Sequence, residues 1–194
     1  SRADHAIGQV REALKQQGLD RNTVVIHLSD NGSMEGAHGL AGKWIMYEES
    51  IHVPLIVHDP RLPDSTRGRR SQMALNIDVA PTILAMAGVP VPAAMQGADL
   101  QPILRNPAAA AREDWYYEHV YTTPPSRRPI PRCEGVRTAR WKYTRYTDAR
   151  PPLEQLFDLE ADPCEEKDLA QDPAHAGTLA RLRARCDAYR ESLK

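Results

Sequence analysis

The stretch "HLSDNGSMEGAHGLAGK", residues 27 to 43, places an acid, an amide, a histidine and a lysine in a glycine-rich loop. Asp30 and Asn31 offer adjacent hard oxygen donors of the kind that suit Ca2+ or Mg2+. A calcium site takes about six to eight oxygens, so these two would need partners from elsewhere. Read alone, "SDNG" is more simply a tight turn, because Asp, Asn and Gly favour turn geometry for backbone reasons. The rest of the loop argues for chemistry. Gly36, Gly39 and Gly42 let the backbone pass close to a ligand, and Lys43 supplies a point charge for an anionic group. His38 could donate to the same anion or take part in proton transfer. Metal-capable oxygens beside a lysine describe a site for an oxyanion ester, whose negative charge cation and ammonium would share.

The elements that must position this loop are legible on both sides of it. Ile7, Val10 and Leu14 recur at helical spacing, so residues 3 to 17 read as an amphipathic helix ended by Gly18. "NTVVIHLS" (22 to 29) and "VPLIVHDP" (53 to 60) read as strands. "RLPDSTRGRRSQ" is polar and basic and reads as an exposed loop. "NIDVAPTILAMAGVP" carries its own helix signals: Asp78 as N-cap, Pro81 in the first turn, and Gly88 and Pro90 as the stop. Strands followed by helices with short connections predict an α/β layered architecture with a largely parallel sheet.

From about residue 105 the pattern changes. "DWYYEHVY", "GVRTARWKYTRY" and "EQLFDL" are three strand candidates that should pair antiparallel. Ala139, Trp141 and Tyr143 alternate with Arg140, Lys142 and Thr144, which predicts a half-buried strand in preference to a basic, aromatic RNA-binding segment. Leu179, Leu182, Cys186, Tyr189 and Leu193 form the inward seam of a terminal helix. The expected domains are therefore residues 1–105, an α/β layer, and residues 106–194, a small antiparallel sheet with a C-terminal helix. Within the second, "TTPPSRRPIPR" (122 to 132) is a basic, proline-rich loop.

Bulk properties limit the function classes. The 25 Lys and Arg against 26 Asp and Glu leave a net charge of -1, so no overall field recruits nucleic acid or an anionic membrane. No apolar run reaches the roughly 20 residues needed to span a bilayer. The start has no signal-peptide pattern and runs directly into a helix, as expected for the later part of a longer protein. Cys133, Cys164 and Cys186 form no C-x-x-C pair and indicate neither zinc nor a disulfide framework. The compartment stays open between periplasmic or secreted and cytoplasmic.

Five segments in order, "NTVVIHLSDNG", "GAHGLAGKWIMYEESIHVPLIVHDP", "NIDVAPTILAMAGVPVPAAMQGADLQPIL", "GVRTARWKYTRY" and "EQLFDLEADPCEEKDLA", resemble the second half of the type I sulfatases. The resemblance implies an alkaline-phosphatase-like α/β fold with a smaller antiparallel C-terminal subdomain, and hydrolysis of sulfate esters. It makes Asp30 and Asn31 calcium ligands, Lys43 the sulfate-binding lysine, and His38 an active-site group. In the C-terminal signature, Asp158, Asp162, Pro163 and Glu165 would shape turns. The family's formylglycine nucleophile and early aspartate pair belong to an N-terminal half that is missing here. "CEGVR" (133 to 137) imitates the nucleophile's Cys and Arg spacing but has Gly135 in the third position. The fragment alone would be inactive, and its expected partners are that N-terminal half and a sulfated small molecule or saccharide. His119, Arg127, Arg128 and Arg132 are the groups of the C-terminal subdomain placed to reach such a substrate. Two other readings remain: a phosphonate or phosphodiester hydrolase of the same superfamily, and a binding module that keeps the fold without the chemistry.

Overall fold

The β-branched run before the loop becomes β1 (Val25–Leu28), and the run after it becomes β2 (Leu55–His58). The computed structural model describes residues 2–121 and 130–193. The chain divides into two compact units, residues 1–29 with 54–111 and residues 30–53 with 112–194. The glycine-rich loop therefore groups with the C-terminal sheet.

In the first unit, α1 (Arg2–Gln16) ends as its glycine predicts. Gly18 has φ +67°, its N–H donates to Lys15 O at 3.0 Å, and Leu19 N–H donates to Leu14 O at 2.9 Å. This left-handed stop satisfies carbonyls that the helix end would otherwise leave open. β1 and β2 pair antiparallel, Val25 opposite His58 and Leu28 opposite Leu55. This corrects the expectation of a largely parallel arrangement for these two strands. A parallel pair needs a crossover packed on the sheet, and the 29–54 connection instead has one short helix, α2 (Glu48–Ile51), before returning beside β1.

α3 (Val79–Met86) follows Asp78 as expected, but the Asp78 carboxylate does not cap that helix. Its oxygens accept Leu75 N–H at 2.7 Å and Ala98 N–H at 2.8 Å, so this buried acid closes the turn before α3 and pins the strand of chain that runs past it. Thr82 continues the tie: its hydroxyl donates to Asp78 O and accepts Leu100 N–H at the start of α4 (Gln101–Arg105). The basic loop is less open than its composition implies. The Arg70 guanidinium donates to Ile103 O at 2.8 Å and Leu104 O at 3.0 Å, and Arg61 grips the Asp59 carboxylate with both forks.

The second unit is a four-stranded antiparallel sheet, β3 (Asp114–His119), β4 (Cys133–Thr138), β5 (Trp141–Tyr146) and β6 (Leu153–Asp158), in that spatial order. One of the three predicted strands is in fact a hairpin. "GVRTARWKYTRY" folds back at Ala139 and Arg140, where Trp141 N–H donates to the Thr138 hydroxyl at 2.8 Å. α5 (Ala176–Ser192) buries Leu179, Leu182 and Cys186 against Val136, Tyr143 and Leu156. The predicted seam holds for those three and partly for Tyr189, whereas Leu193 stays exposed.

The half-buried reading of β5 is overturned. Tyr143 faces the α5 side and is buried, but Lys142 on the opposite face is 0% exposed and Thr144 is buried beside it. That face is covered by residues of the 30–53 segment: Glu48 bonds Lys142, and Met46 packs so near β4 that a Cβ on Gly135 would lie 2.5 Å from its sulfur. Lys142 and Thr144 are thus interior positions, the Lys142 charge neutralised by ion pairing, while Arg140 at the turn stays exposed. Burial pushes the Glu48 carboxyl up, but the Arg137 hydrogen bond and the charges of Lys142 and Arg137 outweigh it and hold it below the ordinary carboxylate value.

Candidate functional site

The 30–53 segment is a loop closed on α2. Gly32 N–H donates to Ser50 O at 2.9 Å, Met34 N–H to Gly42 O at 2.8 Å, and Trp44 N–H to the Ser50 hydroxyl at 3.0 Å. Met34 and Met46 are its buried anchors. Between them the backbone turns left-handed at Gly36, Gly39 and Gly42, as the glycines predict, and also at Glu35 (φ +43°), His38 (+53°) and Trp44 (+79°). Three side-chain-bearing residues in this region, within ten positions, store local strain that the surrounding bonds must hold.

Held in this way, the loop brings together three of the residues singled out by type. Lys43 Nζ donates to Asn31 Oδ1 at 2.7 Å and lies 3.9 Å from Asp30 Oδ2, while Asn31 Nδ2 donates to Gly32 O at 2.7 Å. His38 is on the same loop but engaged differently. Its ring stacks on Tyr47 with centroids 3.9 Å apart, and its Nε2 is 3.7 Å from Glu49 Oε2. Asp30 and Asn31 present hard oxygens that converge on an ammonium, so their donor chemistry fits a share of a divalent-cation shell. Among the described residues no group of three or more His, Cys, Asp or Glu that could hold a metal ion occurs.

Trp44, which the sequence reading passed over, connects this group to the C-terminal sheet. Lys43 Nζ lies 5.5 Å from the Trp44 ring centre, and the indole stacks with the His119 imidazole at 6.1 Å and 7°. His119, at the end of β3, is 7% exposed, and its Nε2 has no hydrogen-bond partner among the described residues. The signal that could have found Trp44 is its position: a large aromatic directly after a candidate anion-binding lysine. Burial lowers the His119 pKa, because the charged imidazolium loses more solvation than the neutral ring.

The His119 shift carries a stability prediction. The folded state holds His119 neutral below the unfolded value of about 6.5, so as pH falls through that value the unfolded chain gains a proton that the folded chain resists. The stability contributed by neutral His119 is therefore present above about pH 6.5 and lost below it. Thermal melts from pH 7.5 to 5 should show a fall in Tm for the wild type that is shallower in His119→Phe; parallel slopes would refute the assignment.

The other sequence candidates separate. Arg132 is tied to Asp148, Nε to Oδ1 at 2.7 Å and backbone N–H to Oδ2 at 2.8 Å, and this pairing holds the Asp148 carboxyl below its usual value. Arg127 and Arg128 lie outside the described residues. Cys133 is buried opposite His119 in the β3–β4 register, and burial pushes its thiol up to about 12. That environment suppresses the thiolate a nucleophile needs, in keeping with the reading of "CEGVR" as a strand. Glu165 belongs to a turn, as expected, but its carboxylate is buried in an ion pair with Lys142.

Comparison with known proteins adds the family. The model of "N-sulphoglucosamine sulphohydrolase, C-terminal" matches residues 36–192. The N-acetylglucosamine-6-O-sulfatase of Bacteroides thetaiotaomicron is 34% identical over 166 residues, 84% of this chain and 29% of the relative. Among solved structures, a protein in complex with "its substrate D-Glucosamine-2-N, 6-O-disulfate" superposes with a TM-score of 0.87 at 31% identity, over 97% of this chain and 38% of that one. The phosphonate monoester hydrolase of Agrobacterium radiobacter gives 0.82 at 26% identity, over 97% and 39%. The chain thus spans about a third of the length of the proteins it matches. It belongs to the N-sulphoglucosamine sulphohydrolase C-terminal family, the C-terminal region of the sulfatases.

Proposed function

We propose that this chain supplies the sulfate-binding and part of the calcium-binding machinery of a sulfuric ester hydrolase acting on sulfated saccharides. The observation that carries the reading is the convergence of Asp30, Asn31 and the Lys43 ammonium on one strained loop, in a chain of sulfatase family. Residues 1–105 would belong to the α/β catalytic domain and residues 106–194 to its C-terminal subdomain, with an N-terminal half completing the enzyme.

In that enzyme Asp30 and Asn31 would hold calcium, and the N-terminal half would carry the formylglycine. Calcium, when bound, orients the nucleophile and polarises sulfate oxygens. Lys43 would bind a sulfate oxygen and stabilise the negative charge on the sulfuryl group as the nucleophile attacks sulfur and the saccharide oxygen leaves, an interaction stronger in the transition state than in the ground state. Its contact with Asn31 keeps the ammonium beside one of the proposed calcium ligands. His38, braced on Tyr47, would serve as a proton donor or acceptor at the same anion. His119, stacked on Trp44, would meet the substrate from the sheet, where a neutral imidazole can exchange hydrogen bonds with a sugar hydroxyl. Arg128 and Arg132 are proposed contacts for further negative groups on the saccharide. For Arg132 that role means exchanging Asp148 for the ligand.

The solved complex with a sulfated glucosamine supports the saccharide class, and the likeness to a phosphonate monoester hydrolase supplies the rival reading. The test uses the complete protein, assayed against D-glucosamine-2-N,6-O-disulfate and against a phosphonate monoester, before and after chelation. Sulfate release should exceed phosphonate turnover, disappear with the chelator and return with Ca2+. Faster phosphonate turnover, or chelator-resistant sulfate release, would overturn the proposal.

A further inference from the structure

The loop carrying Asn31 and Lys43 rests on α2, and α2 rests on a buried set of charges that no catalytic role uses. Glu48, the first residue of α2, takes both forks of Arg137, Nε to Oε1 at 3.0 Å and Nη2 to Oε2 at 3.1 Å. Lys142 Nζ lies 3.2 Å from Glu48 Oε1 and 2.5 Å from Glu165 Oε1, and its side chain is fully buried. Glu165 closes the set, since its Oε2 accepts Glu48 N–H at 2.7 Å. One further contact fixes the entry to α2: Gln155 Nε2 donates to the Tyr47 hydroxyl at 3.1 Å, and the Tyr47 ring carries His38.

Two residues along, the same helix holds both ends of the loop. Ser50 O receives the N–H of Gly32, the neighbour of Asn31, and the Ser50 hydroxyl receives the N–H of Trp44, the neighbour of Lys43. A displacement of Glu48 is therefore passed through Ser50 to the residues beside Asn31 and Lys43 together. Glu165 itself has φ +55°, a conformation that a side-chain-bearing residue adopts only when its surroundings impose it. An isolated carboxylate and ammonium this deeply buried would cost more in desolvation than they return, unless every oxygen and proton is used. Here Lys142 is shared between the Glu48 and Glu165 carboxylates and the Glu48 N–H takes Glu165 Oε2, while Glu165 Oε1 has the Lys142 charge beside it but no hydrogen bond among the described residues, so the pair depends on Glu48 staying where it is.

We propose that Glu165, Lys142, Arg137 and Glu48 are positioning residues that set the geometry of the Asn31–Lys43 loop from the C-terminal sheet. The C-terminal signature stretch then has a task at the site beyond shaping its own turn. The network is the link from β4 and β5 to α2 that determines where the sulfate-binding ammonium stands. Only the turnover arm of the test depends on the sulfatase reading; hydrogen exchange does not.

The experiment compares wild type with Glu165→Gln and with Lys142→Met/Glu165→Met in the complete protein, by backbone hydrogen exchange, thermal melting and steady-state turnover of the disulfated glucosamine. Glu165→Gln should accelerate exchange of residues 30–46 with β3–β6 still protected, and should lower kcat by about 10- to 100-fold with a smaller change in KM. The double variant, with both charges replaced by apolar side chains, should recover thermal stability but neither the exchange protection nor kcat. Unchanged exchange in 30–46, acceleration spread equally over β3–β6, or unaltered kcat in an active enzyme would each overturn the proposal. If the wild type hydrolyses no sulfate ester, the functional reading fails and the exchange pattern alone decides positioning. If Glu165→Gln does not fold, Arg137→Lys, which exchanges a bidentate fork for a point charge, is read by the same criteria.

Discussion

Lys43→Ala in the complete protein is expected to lower kcat/KM for a sulfated saccharide by about 10²- to 10³-fold, the loss seen when one preorganised charge stabiliser is removed from a transition state. The fold should survive. Lys43 contacts the Asn31 amide and the face of Trp44 and is partly open to solvent, where such pairs contribute about 0–1 kcal/mol. Melting within a few degrees of wild type, together with the kinetic loss, would separate catalysis from stability. Lys43→Arg should recover only part of the rate, because a planar guanidinium cannot place its charge where a compact ammonium does. Turnover within threefold of wild type in Lys43→Ala would remove the lysine from its assigned role.

Gly32→Ala is expected to be the most damaging small substitution on the loop. A Cβ there would sit 1.9 Å from Glu49 O and 3.0 Å from Glu49 C, which are backbone atoms that no rotamer change can move aside. Relief requires parting Gly32 from Ser50 and shifting α2, which Glu165 and Arg137 hold in place. Overpacking of this kind costs about 1–3 kcal/mol. For a chain of this size that is roughly 2–4 °C in Tm for each kcal/mol. Because Asn31 is the adjacent residue, calcium affinity in the complete protein should fall along with Tm. Retained Tm and calcium binding would show that the loop has more room than the close approach allows.

These two predictions rest on different amounts of information. Lys43 could be picked out from the chain alone, since its type and its place after three glycines describe an anion site. The reason Gly32 must be glycine could not. It belongs to the "DNG" turn in the sequence, yet its constraint comes from the carbonyl of Glu49, brought over it by the folding of the whole loop. His119 falls between the two cases. Its type marked it as a candidate, but its stacking on Trp44 and its neutral, buried state depend on β3 and the loop meeting in space.

What the sequence by itself determined is what depends on near neighbours: the helix stop at Gly18, the strand runs on either side of the loop, the glycine punctuation, and the seam of Leu179, Leu182 and Cys186 on the last helix. Helical and strand periods, turn chemistry and ligand type are all written within a few residues. The tertiary structure alone decided the direction of β2 against β1 and the burial of Lys142. Strand alternation reports which side chains are polar, not which face another segment will cover. Lys142 meets Glu48 across 94 positions, and Glu48 meets Glu165 across 117. Charges that distant in the chain offer no local pattern, and only when folding removes them from water together does their pairing become strong enough to place an active-site loop.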